Sequence, residues 1–311
     1  MDKTGLIWKF KVNRELSQSE KDDRLPIYSG SEAEPDDMLS LIKMNSTYLE
    51  CCDKFYPGKG EITAGGIFGF VGSSIFLYFP VADIFRWLFI PSHELEFSSF
   101  FIISTLIMII STMLLIWFTY FNKEVFRYTH YPIRFNRRTR MVHFFRLDGT
   151  VMSESWDKLY FTIGTGEEFK IDEVRCHRLA EDGKTVLETH ALPSLTGRAT
   201  ALAQWEFVRR YMEKGPAEVL PRIGHVLDVH IGQPGKRESF GHGYEIMSNN
   251  GGKFIFYFFF PMTFSYVIGR WIAMRTCKQP VWPAEIEAAC QVAPNDPYLV
   301  DKDHLPEGVE A

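Results

Sequence analysis

The chain has 311 residues, of which 23% are charged, carries a net charge of -5 and holds 27 Phe; its mean hydropathy is -0.11. Such a polar balance excludes a protein made only of membrane spans and predicts a soluble domain with its own core. The acidic net charge argues against a general nucleic-acid binder.

Residues 1–60 read as an N-terminal cytoplasmic arm. Lys3, Lys9, Lys11 and Arg14 interrupt the first 18 residues, so no apolar h-region of a cleavable signal forms. Ser, Gly, Glu and Pro over 29–35 predict a mobile linker, and 38–49 reads as a short helix. The arm either docks on the rest of the chain or binds a partner. The Asn45-Ser46-Thr47 sequon has no consequence on a cytoplasmic segment. The five cysteines contain no Cys-x-x-Cys pair, and an odd count on that side points to reduced thiols; Cys51 and Cys52 are either buried or lipidated.

Two uncharged stretches follow within 61–122. Residues 62–82 and 97–121 each supply the ~20 apolar residues, at ~1.5 Å of rise, that a ~30 Å hydrocarbon layer requires. The link between them holds only Arg86, whereas Lys123, Arg127, Arg134, Arg137, Arg138, Arg140 and Arg146 follow the second span and Lys54 and Lys59 precede the first. Both flanks are therefore expected in the cytoplasm, as a multi-pass hairpin that serves as its own signal. Gly65, Gly69 and Ser73 leave a flat strip for close helix packing, either within the hairpin or in a homodimer. Neither span contains Asp, Glu, Lys or Arg, which disfavours an ion pathway through these two helices alone.

Residues 123–215 change to strand spacing. Short runs rich in Val, Ile, Phe and Tyr at 131–136, 141–146, 158–163, 170–179 and 185–192 are separated by turn residues, including Asp148-Gly149. Ala201, Trp205, Val208 and Met212 then form one helical stripe capped by Thr196 and ended by Gly215 and Pro216. The expected architecture is an α+β membrane protein: a transmembrane helical hairpin joined to an antiparallel β-sandwich or barrel closed by one helix. The run Pro132 to Arg138, then Val142 to Phe145, Asp148, Gly149 and Trp156, resembles the strand-turn-strand opening of bacterial membrane-tethered domains of the pleckstrin-homology type. Residues 216–253 form a connecting strand and loop region. A Phe-dense hydrophobic C-terminal helix over 254–275, interrupted by Pro261, is interfacial, re-entrant or a third span. Residues 276–311 give a helix from Pro283 to Cys290 and an acidic tail, which a third span would place outside.

Pro280, Val281, Trp282, Pro283, Ala284, Glu285 and Ile286, then Cys290 and Asn295 to Tyr298, with Arg237 to Phe240 upstream, resemble an uncharacterised family of bacterial inner-membrane proteins often associated with type VI secretion clusters. That resemblance implies an immunity or accessory protein that binds an effector or secretion component stoichiometrically, in the bacterial inner membrane.

No Walker loop, Gly-x-Ser-x-Gly elbow or His-Glu-x-x-His helix occurs, so no catalytic, cofactor or metal residue is assigned and the chain is not read as an enzyme. His225, His230, His242, Asp228 and Glu245 match no standard metal spacing. Arg127, Arg134, Arg137, Arg138 and Arg140 form the one site-like constellation, either as ordinary topology determinants or as contacts to anionic headgroups or a protein partner. The alternative function is accordingly an anionic-lipid-binding membrane scaffold, and the third a subunit of a transporter or enzyme complex.

Overall fold

The computed structural model describes residues 5–89, 98–166, 170–193, 197–229, 239–251 and 260–309. The chain folds into two compact units. One gathers Met1–Gly58, Tyr128–Lys236 and Lys278–Ala311, and the other gathers Lys59–Arg127 and Arg237–Cys277.

The first unit is a mixed α+β body with two antiparallel sheets. Its strands are β1 (Arg14–Glu15), β2 (Leu41–Met44), β3 (Tyr48–Cys51), β4 (Ile133–Asn136), β5 (Met141–Phe145), β6 (Val151–Ser155), β7 (Tyr160–Thr165), β8 (Asp172–Leu179) and β9 (Thr185–Ala191). They order as β2-β3-β4-β5-β6 in one sheet and β1-β9-β8-β7 in the other.

Residues 41–51 form a hairpin rather than the short helix expected over 38–49. The Asn45 side chain explains the turn: its Oδ1 accepts from the amides of Thr47 at 2.8 Å and Tyr48 at 3.0 Å, closing the chain on itself before a helix can propagate. Leu41, Met44, Leu49 and Cys51 then enter the core. β3 pairs in register with β4, Glu50 opposite Arg134 and Leu49 opposite Phe135, so the N-terminal segment completes a sheet whose other strands lie over eighty residues downstream.

One helix, Gly197–Lys214, covers the core with the stripe read from its sequence, Ala201, Trp205, Val208 and Met212, all buried. Trp205 stacks on Trp156 at 5.7 Å between ring centroids, with Phe161 against both. Gly215 ends this helix at φ 104°, donating its amide to the carbonyls of Arg210 and Tyr211. The expected cap, Thr196, lies outside the described residues. The C-terminal tail returns to β2, where Val300 and Met44 exchange backbone hydrogen bonds of 2.8 and 2.9 Å and Lys43 pairs with Asp301 at 2.9 Å.

The second unit is helical. With α1 at Gln18–Asp22 in the first unit, α2 is Glu61–Phe89 and α3 is Ser98–Ile116, continued by a π-turn at Trp117–Phe121 and a last turn at Asn122–Glu124. The stretch Ile102–Glu124 is one helix long and apolar enough to cross a membrane. The expected first span lies inside α2, and the link at 90–97 lies outside the described residues. Glu124 caps α2: its carboxylate accepts from the amides of Gly60 at 2.6 Å and Thr63 at 2.7 Å and from the Thr63 hydroxyl at 2.6 Å. A carboxylate on these orphan amides also complements the positive end of the helix dipole.

With Gly197–Lys214 as α4, followed by one helical turn at Pro216–Val219, the further helices among the described residues are α5 (Phe240–Gly251), α6 (Phe260–Thr276) and, in the first unit, α7 (Ala284–Ala289). The backbones of α2 and α6 nearly touch. A Cβ on Gly269 would collide with the carbonyl of Gly60 and reach 2.8 Å from the amide of Ala64, and Gly60 itself adopts φ 106°. The portion of the expected hydrophobic helix at 254–259 lies outside the described residues.

Candidate functional site

The five arginines singled out in the sequence do not converge. Arg127 is exposed in the helical unit, its Nε donating to the carbonyl of Asn122. The other four belong to the β unit, where two are consumed internally. Arg134 is only 2% exposed. Cross-strand from Glu50, it donates through Nε at 3.0 Å and Nη2 at 2.8 Å to Oε2, and reaches Glu287 of α7 at 3.1 Å. Its guanidinium lies between the rings of Tyr48 and Trp282, at 4.5 and 4.8 Å. Although burial opposes its charge, Glu50, Tyr48 and Glu287 raise its pKa above the ordinary arginine value. Arg140 bonds Asp157 at 2.8 Å and Glu213 at 2.9 Å, tying β5 to α4, and Trp156 donates to the same Glu213 oxygen. Of these four arginines only Arg138 is exposed, with Arg137 half-buried beside Gly215. The headgroup cluster therefore reduces to these two, because Arg134 sits within the fully buried β4, covered by Trp282 and Glu287, while they lie in the turn beyond it.

The C-terminal residues that carried the family resemblance are fasteners. Trp282 donates its indole N–H to Glu50 at 2.9 Å. Asn136 donates to the carbonyl of Ala289 at 2.9 Å and contacts Cys290 Sγ at 3.3 Å. Asp296 accepts from both the amide and hydroxyl of Ser46, each at 2.8 Å, gripping the hairpin turn. Thus the tail, α7 and the N-terminal hairpin are locked together by residues that looked like isolated motifs.

A cleft of about 350 Å³ opens where the end of β5 faces β9, with Gly5 to Val12 along one wall. Sequence reading did not identify it, since its walls come from five separated segments. Phe10, Phe55, Phe144, Phe145 and Leu147 make it largely apolar. Three of its polar members, Arg146, Glu188 and His190, bond to one another. Arg146 holds Glu188 in a two-pronged pair at 2.6 and 2.7 Å, and His190 meets the same carboxylate at 2.9 Å while stacking on Phe144 at 4.3 Å. Burial raises the Glu188 pKa, but His190 and Arg146 outweigh it and hold the group at about 2. Asp53 accepts from the amides of Phe55 and Tyr131. A pocket of this kind binds by shape and apolar contact, with a fixed charged rim.

His225 and Asp228 lie in the β unit, His242 and Glu245 in the helical unit, and His230 outside the described residues. Among the described residues no cluster of three or more His, Cys, Asp or Glu side chains is placed to hold a metal ion. All five cysteines are buried and none forms a disulfide, Cys51 and Cys52 included, and burial pushes the Cys51 thiol up. In the helical unit, Gly69 packs under Ile116 and Gly66 under Phe121, whereas Gly65 faces open space. The close contact inside the hairpin thus uses Gly66 and Gly69 rather than the Gly65, Gly69, Ser73 strip.

A family model described as a family of unknown function (DUF6708) matches residues 110–294, more than half of the chain. No curated protein and no solved structure matches it.

Proposed function

The chain belongs to this family, DUF6708, and from its own residues we propose that it is a non-enzymatic, membrane-anchored binding protein. In this reading the β unit recognises a protein partner and α2–α3 anchors it. The observation that carries the reading is the in-register pairing of β3 with β4 on either side of the helical insertion. A chain whose two flanks share one sheet must leave and return on the same side of a bilayer. If Ile102–Glu124 crosses, α2 must cross back, and the pair forms a hairpin. Exposed Phe68, Phe70, Ile75 and Phe85 on α2 and Ile103, Ile107 and Leu115 on α3 support lipid contact for both.

The self-satisfied polar groups and apolar wall of the cleft favour binding over chemistry. Resemblance to inner-membrane proteins associated with type VI secretion supplies the partner class, an effector or secretion component held one to one as an immunity or accessory contact. The two sheets followed by α4 also support the pleckstrin-homology-like comparison. Val12 is exposed on the cleft wall, so Val12→Glu tests the contact without burying a charge. Wild-type full chain purified from native membranes should retain one such protein at near-equal amounts, and the variant should lose it about tenfold, equivalent to ~1.4 kcal/mol. Lipid recovery with no stoichiometric protein would overturn the reading. The headgroup alternative rests on Arg137 and Arg138. Recruitment of the full chain to anionic vesicles that vanishes in the Arg137→Glu, Arg138→Glu variant would favour it instead.

A further inference from the structure

The second helical insertion, Arg237–Cys277, is subject to the same constraint as the first. It leaves the β unit and returns to it, because Val300 downstream pairs with Met44 upstream. An even number of crossings is required. Within these residues only 254–269 is an uncharged apolar run, while 237–253 carries Arg237, Glu238, His242, Glu245, Asn249, Asn250 and Lys253; a second span to balance a first is lacking, so zero crossings remain.

Yet α6 exposes an apolar stripe while it buries a charge. Val267, Arg270, Met274 and Cys277 form its buried face, and Arg270 is fully buried. The opposite face presents Phe264, Ile268, Trp271 and Arg275, at steps of four, three and four residues, all exposed. A soluble helix would turn such an apolar stripe, with its two aromatics, inward. Phe240 of α5 extends the apolar stripe, 6.0 Å from Phe264. At the other end the Arg275 guanidinium lies 4.6 Å over the Trp271 ring, the pairing of aromatic belt and snorkelling cation found at headgroup level.

We propose that α6 is a monotopic element that lies in the plane of the same leaflet the hairpin enters, with Phe264, Ile268 and Trp271 in the headgroup–acyl boundary and Arg275 at the phosphates. The occupant of this face is lipid, since the stripe is apolar, ends in Trp and Arg, and belongs to a segment that cannot span. The proposal rests on the membrane-anchor reading, and the test separates the two.

Spin labels at Phe264→Cys, Ile268→Cys and Trp271→Cys in the full chain, reconstituted in mixed phosphatidylcholine and phosphatidylglycerol vesicles, report depth by oxygen against nickel-chelate accessibility. An in-plane helix gives three similar depths, roughly 5–10 Å below the phosphates. A transverse helix gives a spread of ~10 Å between 264 and 271 and overturns the proposal. Nickel-accessible labels, or labels shielded from both reagents, overturn it too, the second result assigning the face to protein. Where one labelled variant aggregates, Arg275→Cys replaces it, expected at phosphate depth. Failure of the wild-type chain to float with the vesicles or to resist alkaline carbonate extraction would sink the anchor reading itself, whereas a floating protein with water-exposed labels defeats only this inference.

Discussion

Arg134 carries a charge into the β unit because four partners surround it: the carboxylates of Glu50 and Glu287 and the ring faces of Tyr48 and Trp282. Replacing one member strands the other. Arg134→Leu should cost about 3–5 kcal/mol, the usual penalty for an uncompensated buried charge, and adding Glu50→Gln should restore part of it. Urea unfolding of the detergent-solubilised chain measures both; a single-variant loss below about 1 kcal/mol would place the pair with surface ion pairs. Asp37 is a second residue with a legible consequence. It is buried with no partner on Oδ2 among the described residues, and burial, with Asp36 adding, raises its pKa to about 7. A group whose folded pKa lies above its unfolded value contributes fully below the latter, about 4, and loses that contribution as pH rises through about 7. Asp37→Asn should therefore gain on the wild type between pH 4 and 8, by an amount of order 4 kcal/mol. His143, lowered to about 4 by burial and by Arg134, titrates in the opposite sense but in both proteins alike. A stability difference that does not grow with pH would contradict this account of Asp37.

At the scale of elements, what the sequence made legible followed local period, and what it concealed was tertiary. The α4 stripe and the strands of the central meander have a repeat that depends on one element alone. The β2–β3 hairpin did not, because its decisive signal is one Asn side chain turning on two amides, and its partner strand lies beyond an entire helical unit. β6 was missed between a turn and Trp156. The arginine cluster looked convergent in sequence because the residues are close along the chain, whereas Arg134 lies within β4 beneath Trp282 and Glu287 and Arg138 lies in the exposed turn beyond that strand. The cleft was invisible because five separated segments build it. The hairpin offers a clean test of which small residues matter. A side chain on Gly69 meets Ile116 Cδ1 at 2.8 Å, and one on Gly65 meets nothing within 4 Å. Gly69→Leu should cost about 1–3 kcal/mol through overpacking and lower the midpoint of thermal unfolding in detergent, whereas Gly65→Leu should leave it unchanged. Equal losses would return the contact to the strip at 65, 69 and 73.

For the whole molecule, one compact unit assembled from three chain segments dictates where the other segments can go. The N-terminal hairpin, the central meander and the C-terminal tail share backbone pairing, so no segment of the β unit can be separated from the others by a bilayer. Two insertions, each returning to its origin, account for the apolar helices. A tail on the far side of the membrane, which a third span would demand, would have to tear Val300 from Met44. Labelling with a membrane-impermeant maleimide tests this claim most directly. Native thiols are buried, so single cysteines introduced at Tyr28, Arg138 and Val281, one in each segment and all exposed, report position without background. The account predicts that all three stay unlabelled in intact cells and all label once the membrane is opened, while a cysteine at Ser92, between the two helices, labels in both. Labelling of any one of the three in intact cells, with the others protected, would contradict it.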